Sequence, residues 1–435
     1  MAVSQPIQPM TIRRQMLLNV YWFSSNMMWG SILLIIMPHY IQSVVGDAAR
    51  ASTLGLVLSV GAVASMLAAP LFGALSDRVR LPGGRRRPWI IAGTLAAVPA
   101  LWALSSATRP GDVTSLTGWV VAFLLLELLI NIASAPCSAL IPDLVPPDQR
   151  GSAAGWLSLL SMLGIFAGAA TGFLIAPLGI AAIFNILIVV ILLGGLVTAF
   201  GIQETNLTPA MPRFSPGEFL RGLSSPFKNA DFAWVFFNRL LIGMGFFTIQ
   251  EFILYYMKDA FKPPYTLPIL GTVATTPEGA VAVFFPALFL GAIATSLLAG
   301  VFSDRYGRKS IAYAATLVLG IPCMFFTFSH SFPLAIVLGM VFGLGYGAYD
   351  SLSWAMASDV LRSPADHGKD MGLWHMAIVL PQVIATPIGG FLLDQSKLVS
   401  TAYHREHMGY VIIFVVAVIY FMFSSIFLRQ IKGLR

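Results

Sequence analysis

Twelve long apolar segments, separated by short polar links, organise this chain of 435 residues. Each has at least the roughly 20 residues that an α-helix needs to cross a bilayer core. At that length a helix is the structure that satisfies every backbone hydrogen bond in lipid. The pattern predicts an all-α membrane protein with twelve transmembrane helices, which we number as spans 1 to 12. They are expected at about 16–38, 51–76, 88–106, 114–141, 152–176, 180–202, 231–258, 281–303, 309–328, 332–360, 370–394 and 408–430.

Composition and charge placement support this interpretation and add an orientation. The chain is 57% hydrophobic and 10% charged, whereas a soluble domain carries about 25% charged residues. Of the 26 Lys and Arg residues, 19 lie in the termini and the links that follow even-numbered spans. Six lie in the other links, and Arg239 lies inside span 7. The positive-inside rule therefore predicts a multi-pass protein of the cell membrane with both termini cytoplasmic. The net charge of +7 is a topology signal, and no nucleic-acid partner is expected.

A motif repeats half a chain apart. Residues 73–78 read Gly-Ala-Leu-Ser-Asp-Arg at the end of span 2, and residues 300–305 read Gly-Val-Phe-Ser-Asp-Arg at the end of span 8. Two six-helix halves related by a parallel repeat are how major facilitator transporters are built. The repeat therefore predicts an N-terminal half at 1–202, a cytoplasmic connector at 203–230 and a C-terminal half at 231–435. Prolines in the connector predict little regular structure before span 7.

The charged residues around this motif have two interpretations, as topology anchors or as a cytoplasmic gate. Asp77 lies where a carboxylate can face the start of a neighbouring helix, namely span 11. By the repeat, Asp304 would act on the start of span 5. Arg85, Arg86 and Arg87 can pair with Asp143 at the end of span 4. Because the pattern occurs twice, the gate is the favoured interpretation. Its candidate residues are Asp77, Arg78, Arg85, Arg86, Arg87, Asp143, Arg150, Asp304, Arg305, Arg308 and Asp359.

Glu127 is an acid in the middle of span 4. Inserting a carboxylate at this depth costs about 2.5–3.5 kcal/mol on the insertion scale. At about 1.5 Å per helical residue it lies about 22 Å from the cytoplasmic end, and we expect no cation at that depth in the N-terminal half. A proton carrier is therefore favoured over a fixed buried ion pair.

Other polar residues fall inside the spans. Arg239 and Asp350 lie at similar depths, about 12–14 Å above the cytoplasmic end, so we predict an ion pair, either a structural clamp or a switchable pair at the substrate site. Glu251 is a second titrating group or a solvated rim acid, and His375 is a packing residue or a proton relay. Sugars need hydroxyl partners and flat aromatic surfaces, although membrane aromatics commonly serve packing or face lipid. The substrate candidates are Asn26, Trp29, Asn131, Tyr346, Tyr349, Asp350, Arg239, Glu251, His375 and Gln382.

Several segments resemble the sucrose–proton symporters of plants and their animal solute-carrier relatives. Residues 73–93 read GALSDRVRLPGGRRRPWIIAG, with the family's spacing between Ser-Asp-Arg and Gly-Arg-Arg-Arg-Pro. Span 4 has an acid, an Asn four residues later, then Pro136-Cys137 and a terminal Asp, and span 11 contains Met-Gly and later Ala-Ile-Val-Leu-Pro-Gln. The family's acid is an Asp tied to proton coupling, so the resemblance implies this role for Glu127. The family's Asn residues in span 5 and at position 375 are absent here.

The resemblance implies a major facilitator fold and proton-coupled symport of a disaccharide or glucoside by alternating access. The alternatives are a proton-driven exporter of drugs or other small organic compounds and a non-transporting sensor or scaffold built on a transporter fold. Exporters often carry a Gly-Pro element in span 5, which residues 168–172 lack, and Gly164, Gly168 and Gly172 predict close helix packing instead. The sequence contains neither a phosphate-binding Gly-rich loop nor a His/Cys ligand cluster. We therefore expect no enzyme activity, cofactor or metal site. The expected partners are a small sugar, protons and the bilayer, with the protein acting as a monomer.

Overall fold

A computed structural model describes residues 9–79, 82–108, 113–202, 204, 215–250, 252–326, 328–329, 331–403 and 408–433. The chain is almost entirely helical, and the predicted all-α membrane fold is confirmed. In the described ranges, 11 helices are long and apolar enough to cross a membrane by length and composition. The long helix His367–Tyr403, where span 11 was predicted, is additional to these.

The chain forms two compact units. Unit 1 comprises Met1–Lys228 and Leu361–Met376, and unit 2 comprises Asn229–Val360 and Ala377–Arg435. The first boundary falls at the end of the predicted connector. The short segment 361–376, which the sequence places in the C-terminal half, groups with unit 1.

Unit 1 begins with a nearly continuous helical run. Helix α1, Ile12–Ser31, passes through one π-helical segment, Ile32–Ile36, into α2, Met37–Arg78. The α2 backbone is non-helical at Gly46, where φ is 71°, so α2 combines the end of span 1 with span 2. The remaining helices of this unit are α3 Arg87–Ala107, α4 Val113–Ser138, α5 Leu140–Leu144, a 3₁₀ turn at Pro147–Gln149, α6 Arg150–Ala170, α7 Gly172–Leu178, α8 Ile180–Gly201, α9 Pro216–Gly222 and a 3₁₀ turn at Pro226–Lys228.

Unit 2 contains the remaining helices and a small sheet. Its elements are α10 Ala230–Gln250, α11 Ile253–Ala260, strands β1 Tyr265–Leu267 and β2 Gly271–Ala274, α12 Pro277–Tyr306, α13 Arg308–Phe326, α14 Phe332–Asp359, the second part of α15 His367–Tyr403, and α16 Met408–Gln430. The two strands form an antiparallel hairpin that the hydrophobic pattern did not predict. The two strands have only three and four residues, which is too short for a periodic hydrophobic pattern to be recognised.

The structure corrects two details of the prediction. The connector contains regular structure, because Pro216 occupies the first turn of α9, where a proline is tolerated. Span 7 is not one continuous helix: it is divided between α10 and α11, with Phe252 in a non-helical conformation between them.

Helix packing repeats between the units. In unit 1, α4 packs on α2 and α3, while α8 packs on α1 and α3. In unit 2, α14 packs on α12 and α13, while α16 packs on α10 and α13. These four pairings correspond in chain order, as two halves related by a parallel repeat require.

Close contact between α1 and α6 depends on glycine. A Cβ added at Gly164 or Gly168 would collide with the α1 main chain, at the carbonyl oxygens of Phe23 and Met27. Gly164 and Gly168 therefore allow the close helix packing that the sequence predicted.

Candidate functional site

One arginine joins three helix ends of unit 1. Arg86, just before α3, is 1% exposed. Its Nη2 donates to Asp77 Oδ1 at 2.7 Å, its Nε donates to Asp143 Oδ2 at 2.8 Å, and its Nη1 donates to the Ser76 hydroxyl. Burial lowers the pKa of Arg86, but the carboxylates of Asp143 and Asp77 more than offset this, so its pKa lies above the ordinary value. We call these four residues the Arg86 cluster.

The start of α15 is bound to the same cluster. The main-chain N–H groups of Gly368 and Lys369 donate to the Asp77 carboxylate at 3.0 and 2.9 Å. These N–H groups have no partner within the helix, and a carboxylate satisfies them while interacting favourably with the helix dipole. Asp77 thus lies at the start of span 11, where the sequence predicted it.

Further contacts strengthen this arrangement. Arg85 Nη2 donates to Asp77 Oδ1 at 2.7 Å, and Arg78 pairs with Asp366 at 3.3 Å. His367 Nδ1 lies 2.7 Å from Asp143 Oδ1. Sequence reasoning missed Asp366 and His367, because they come from a distant link that carried no repeated motif.

Arg87 behaves differently from the prediction. The guanidinium of Arg87 lies over the Phe200 ring, 4.4 Å from its centroid, and does not pair with Asp143. Arg87 is the first residue of α3, and its side chain lies against α8 rather than in the cluster. Arg150 Nη2 reaches the carbonyl oxygen of Pro142 at 3.4 Å.

Unit 2 builds a matching cluster around Arg308. Its Nη1 donates to Ser303 at 2.7 Å and to Asp304 at 2.6 Å, and its Nε donates to Asp359 at 3.0 Å. As around Arg86, one guanidinium group binds a serine hydroxyl and two aspartate carboxylates. Arg305 is exposed and lies over the Tyr306 ring at 5.6 Å.

Inside the helices of unit 1, Glu127 belongs to a polar group on α2 and α4. Asn131, one turn further along α4, donates from Nδ2 to the Glu127 carbonyl oxygen at 2.7 Å and to Ser65 Oγ at 3.1 Å. The Ser65 hydroxyl also interacts with the Glu127 carboxyl group. Among the residues that the structure describes, Glu127 has no ion-pair partner.

An aromatic surface lies one turn from the acid. Phe123 is four residues before Glu127 on α4, and Trp29 of α1 packs against it edge-on, with ring centroids 6.2 Å apart. Trp29 and Asn26 are both half-buried. Asn26 Nδ2 donates to the Trp22 carbonyl at 2.8 Å. Unit 1 therefore combines an unpaired acid, amides and an indole within neighbouring helices.

In unit 2, the predicted ion pair is present. Arg239 Nη2 lies 3.0 Å from Asp350 Oδ1, and both side chains are more than nine-tenths buried. Tyr346 stacks on Phe246, with centroids 4.2 Å apart. Together these residues place a balanced pair of charges between α10 and α14.

Tyr349 does not fit its predicted role as a substrate contact. Its side chain is fully buried, and its hydroxyl donates to Asn238 Oδ1 at 2.5 Å. The Asn238 amide in turn donates to Ser424 of α16 at 2.7 Å. Its ring also lies near the Arg239 guanidinium, 5.7 Å away, so Tyr349 supports the ion pair and links three helices.

The remaining candidates are only partly placed. Glu251 lies outside the described residues. His375 and Gln382 are half-buried on α15, the former in unit 1 and the latter in unit 2. Their roles stay predictions.

Comparison with known proteins identifies the family. Residues 23–392 match the model of the MFS/sugar transport protein family. A sucrose transport protein of Arabidopsis thaliana is 29% identical over 174 residues, which is 37% of this chain and 34% of that protein. The match thus spans about a third of the length of this relative.

Two further similarities span most of the chain. The multi-drug resistance efflux pump PmrA of Streptococcus pneumoniae is 24% identical over 340 residues, covering 76% of this chain and 78% of the pump. The crystal structure of the human organic anion transporter MFSD10 has the same fold, with a TM-score of 0.71 at 16% identity over 96% of this chain and 99% of that chain. The chain therefore belongs to the MFS/sugar transport protein family of the major facilitator superfamily, whose members are multi-pass membrane transporters rather than enzymes.

Proposed function

We propose that this protein is a proton-coupled sugar symporter that imports a disaccharide or glucoside across the cell membrane by alternating access. Both termini lie in the cytoplasm, and the protein acts as a monomer. Its partners are the sugar, the proton and the bilayer.

The Glu127 site carries the proposal. An acid within a membrane helix is costly unless it is neutralised or used, and the described part of the chain supplies no cation to neutralise it. Its surroundings are hydroxyl and amide groups on α2 and α4. Such neutral groups tolerate both protonation states, whereas a fixed cation would hold the acid ionised. Glu127 therefore takes up and releases the transported proton.

The sugar specificity rests on the groups beside this acid. Trp29 offers a flat aromatic surface, and the half-buried Asn26 offers an amide that can exchange hydrogen bonds with hydroxyls. Asn131 is buried, with its amide nitrogen bound to Ser65 and Glu127, so it would reach a sugar only by exchanging those bonds. Similarity to a sucrose transport protein and the family's description as sugar transport support a sugar as the substrate class. Arg239, Asp350 and Tyr346 are the candidates for contacts from unit 2.

Alternating access requires a gate, which we assign to the two arginine clusters. Contacts of Asp77 with the start of α15 hold the cytoplasmic ends of the helices together. Breaking charge-assisted hydrogen bonds of this kind opens the cytoplasmic side. The Arg308 cluster does the same for unit 2.

Proton-driven export of drugs or other small organic compounds is the second candidate. The efflux pump of Streptococcus pneumoniae matches over a larger share of this chain than the sucrose transport protein does. The same acid could then drive exchange of an outgoing compound for an incoming proton. The two candidates differ in the direction of substrate movement relative to the proton.

The test is a panel of radiolabelled sugars in proteoliposomes with an imposed pH gradient, acidic outside. Symport predicts that at least one sugar accumulates inside, that a protonophore abolishes accumulation, and that the sugar carries protons with it. No accumulation of any disaccharide or glucoside would contradict the sugar assignment. Gradient-driven movement of a drug against the direction of the proton would favour the exporter.

A further inference from the structure

A carboxylate just beyond α8 is bound by the main chain that carries the Arg86 cluster. Glu204 accepts hydrogen bonds from the main-chain N–H groups of Arg85, Arg86 and Arg87; the latter two measure 2.8 and 2.6 Å. These N–H groups lie at the start of α3, where a helix has no internal partners for them. A carboxylate there is favoured both by charge-assisted hydrogen bonds and by the helix dipole.

The preceding link is shaped for this contact. Gly83 and Gly84 have φ values of 103° and 132°, which side chains rarely adopt. A Cβ at Gly84 would come within 2.5 Å of Glu204 Oε2. The Arg87 side chain lies over Phe200 of α8, so the same short segment contacts the end of α8 at two points.

We propose that Glu204 is a positioning residue for the cytoplasmic gate: it fixes the backbone from which Arg85 and Arg86 reach Asp77 and Asp143. The two arginines make their carboxylate contacts at 2.7 to 2.8 Å. A backbone held in place favours these contacts, because less conformational freedom is lost when they form. Glu204 is half-buried, and its described hydrogen bonds go to the main chain of residues 85–87 rather than to Asp77 or Asp143.

Unit 2 achieves the same geometry differently. Only Gly307 separates α12 from Arg308, so the arginine is placed directly by two helices. The link in unit 1 is longer, from Val79 to Arg86. A longer link leaves its arginines more freedom, and a bound carboxylate removes that freedom.

The two native cysteines supply a test. Cys137 of α4 is buried and close enough to Arg86 to interact with it electrostatically, whereas Cys323 is buried in unit 2. Labelling of both thiols with N-ethylmaleimide in the purified full-length protein, followed by mass spectrometry, reports opening of each region separately. General loosening would expose both cysteines.

Glu204→Gln should speed labelling of Cys137 severalfold and leave Cys323 unchanged. Gly84→Ala should also speed labelling of Cys137 with Glu204 intact, because the added Cβ would meet the carboxylate and the φ of 132° is unfavourable for alanine. The matched control is Glu218→Gln, which removes the same charge from an exposed site on α9 and should label like the wild type. Unchanged Cys137 labelling in Glu204→Gln, or equal acceleration at both cysteines, would overturn the proposal.

Discussion

The two units carry the same arginine chemistry at their helix ends but different chemistry within the helices. Arg86 and Arg308 each bind a serine hydroxyl through Nη1 and one carboxylate through Nε; the second carboxylate is bound by Nη2 of Arg86 and by Nη1 of Arg308. In contrast, Glu127 in unit 1 has no ion-pair partner among the residues described, whereas Asp350 in unit 2 is paired with Arg239.

This difference separates two kinds of intramembrane charge. A charge pair in low dielectric is stable as a pair, and its members keep their protonation states. An acid with only neutral partners can change its charge at modest cost. We therefore propose that the repeated clusters serve conformational control in both units and that Glu127 of unit 1 carries the coupled proton. The following predictions test this division.

The largest effect is expected at Glu127. Glu127→Gln should abolish gradient-driven sugar accumulation in proteoliposomes, because glutamine mimics the protonated acid but cannot release a proton. Substrate exchange without a gradient should persist. Glu127→Asp, which keeps an ionisable group, is the matched control and should retain part of the accumulation. Full accumulation by the Gln variant would disprove proton carriage by this residue.

The second effect concerns the ion pair of unit 2. Arg239→Ala leaves a buried, uncompensated Asp350, and breaking a buried pair in this way costs about 3–5 kcal/mol. The double variant Arg239→Ala/Asp350→Ala should lose less stability than the single one. Thermal unfolding of the purified protein gives both values. A double variant as unstable as the worse single variant would show that the two charges are not coupled.

The contrast between the two units was only partly visible in the sequence. The lengths of the apolar segments predicted the helices, and the repeated Ser-Asp-Arg motif predicted the matching clusters. Both features can be recognised in a short stretch of sequence. Equal depth predicted the pairing of Arg239 with Asp350, since charges in hydrocarbon need partners. Ser65 and His367 carried no such signal: their partners lie 66 and 224 residues away. Glu204 could have been found as a lone acid at the end of an apolar span, opposite a glycine-rich basic link.

A smaller effect is expected at Tyr349. Tyr349→Phe removes the hydroxyl that donates to Asn238 and leaves a buried carbonyl oxygen unsatisfied, at a cost of about 1–3 kcal/mol. Because the ring does not reach an accessible surface, the substrate KM should stay unchanged. Thermal unfolding and transport kinetics on one preparation separate the two roles. A raised KM with unaltered stability would restore Tyr349 as a substrate contact.

The smallest effect is expected at Asp77, and its measurement tests whether both arginine clusters act as a gate. Asp77→Asn removes a charge that binds Arg85, Arg86 and the start of α15. A carboxylate at a helix start contributes about 0.3–1 kcal/mol when exposed and up to about 2 kcal/mol when partly buried. Since about 1.4 kcal/mol is a factor of ten, the population open to the cytoplasm should rise severalfold or more.

Faster labelling of Cys137 would report that rise, and by the repeat Asp304→Asn should shift it in the same direction. Asp148→Asn, at an exposed position beside α6, removes an equal charge and should have no effect. If Asp77→Asn leaves labelling unchanged while the protein stays folded, the Arg86 cluster anchors topology only. If only Asp77→Asn acts, the two clusters share their geometry but not their function, and gating then belongs to unit 1 together with proton coupling.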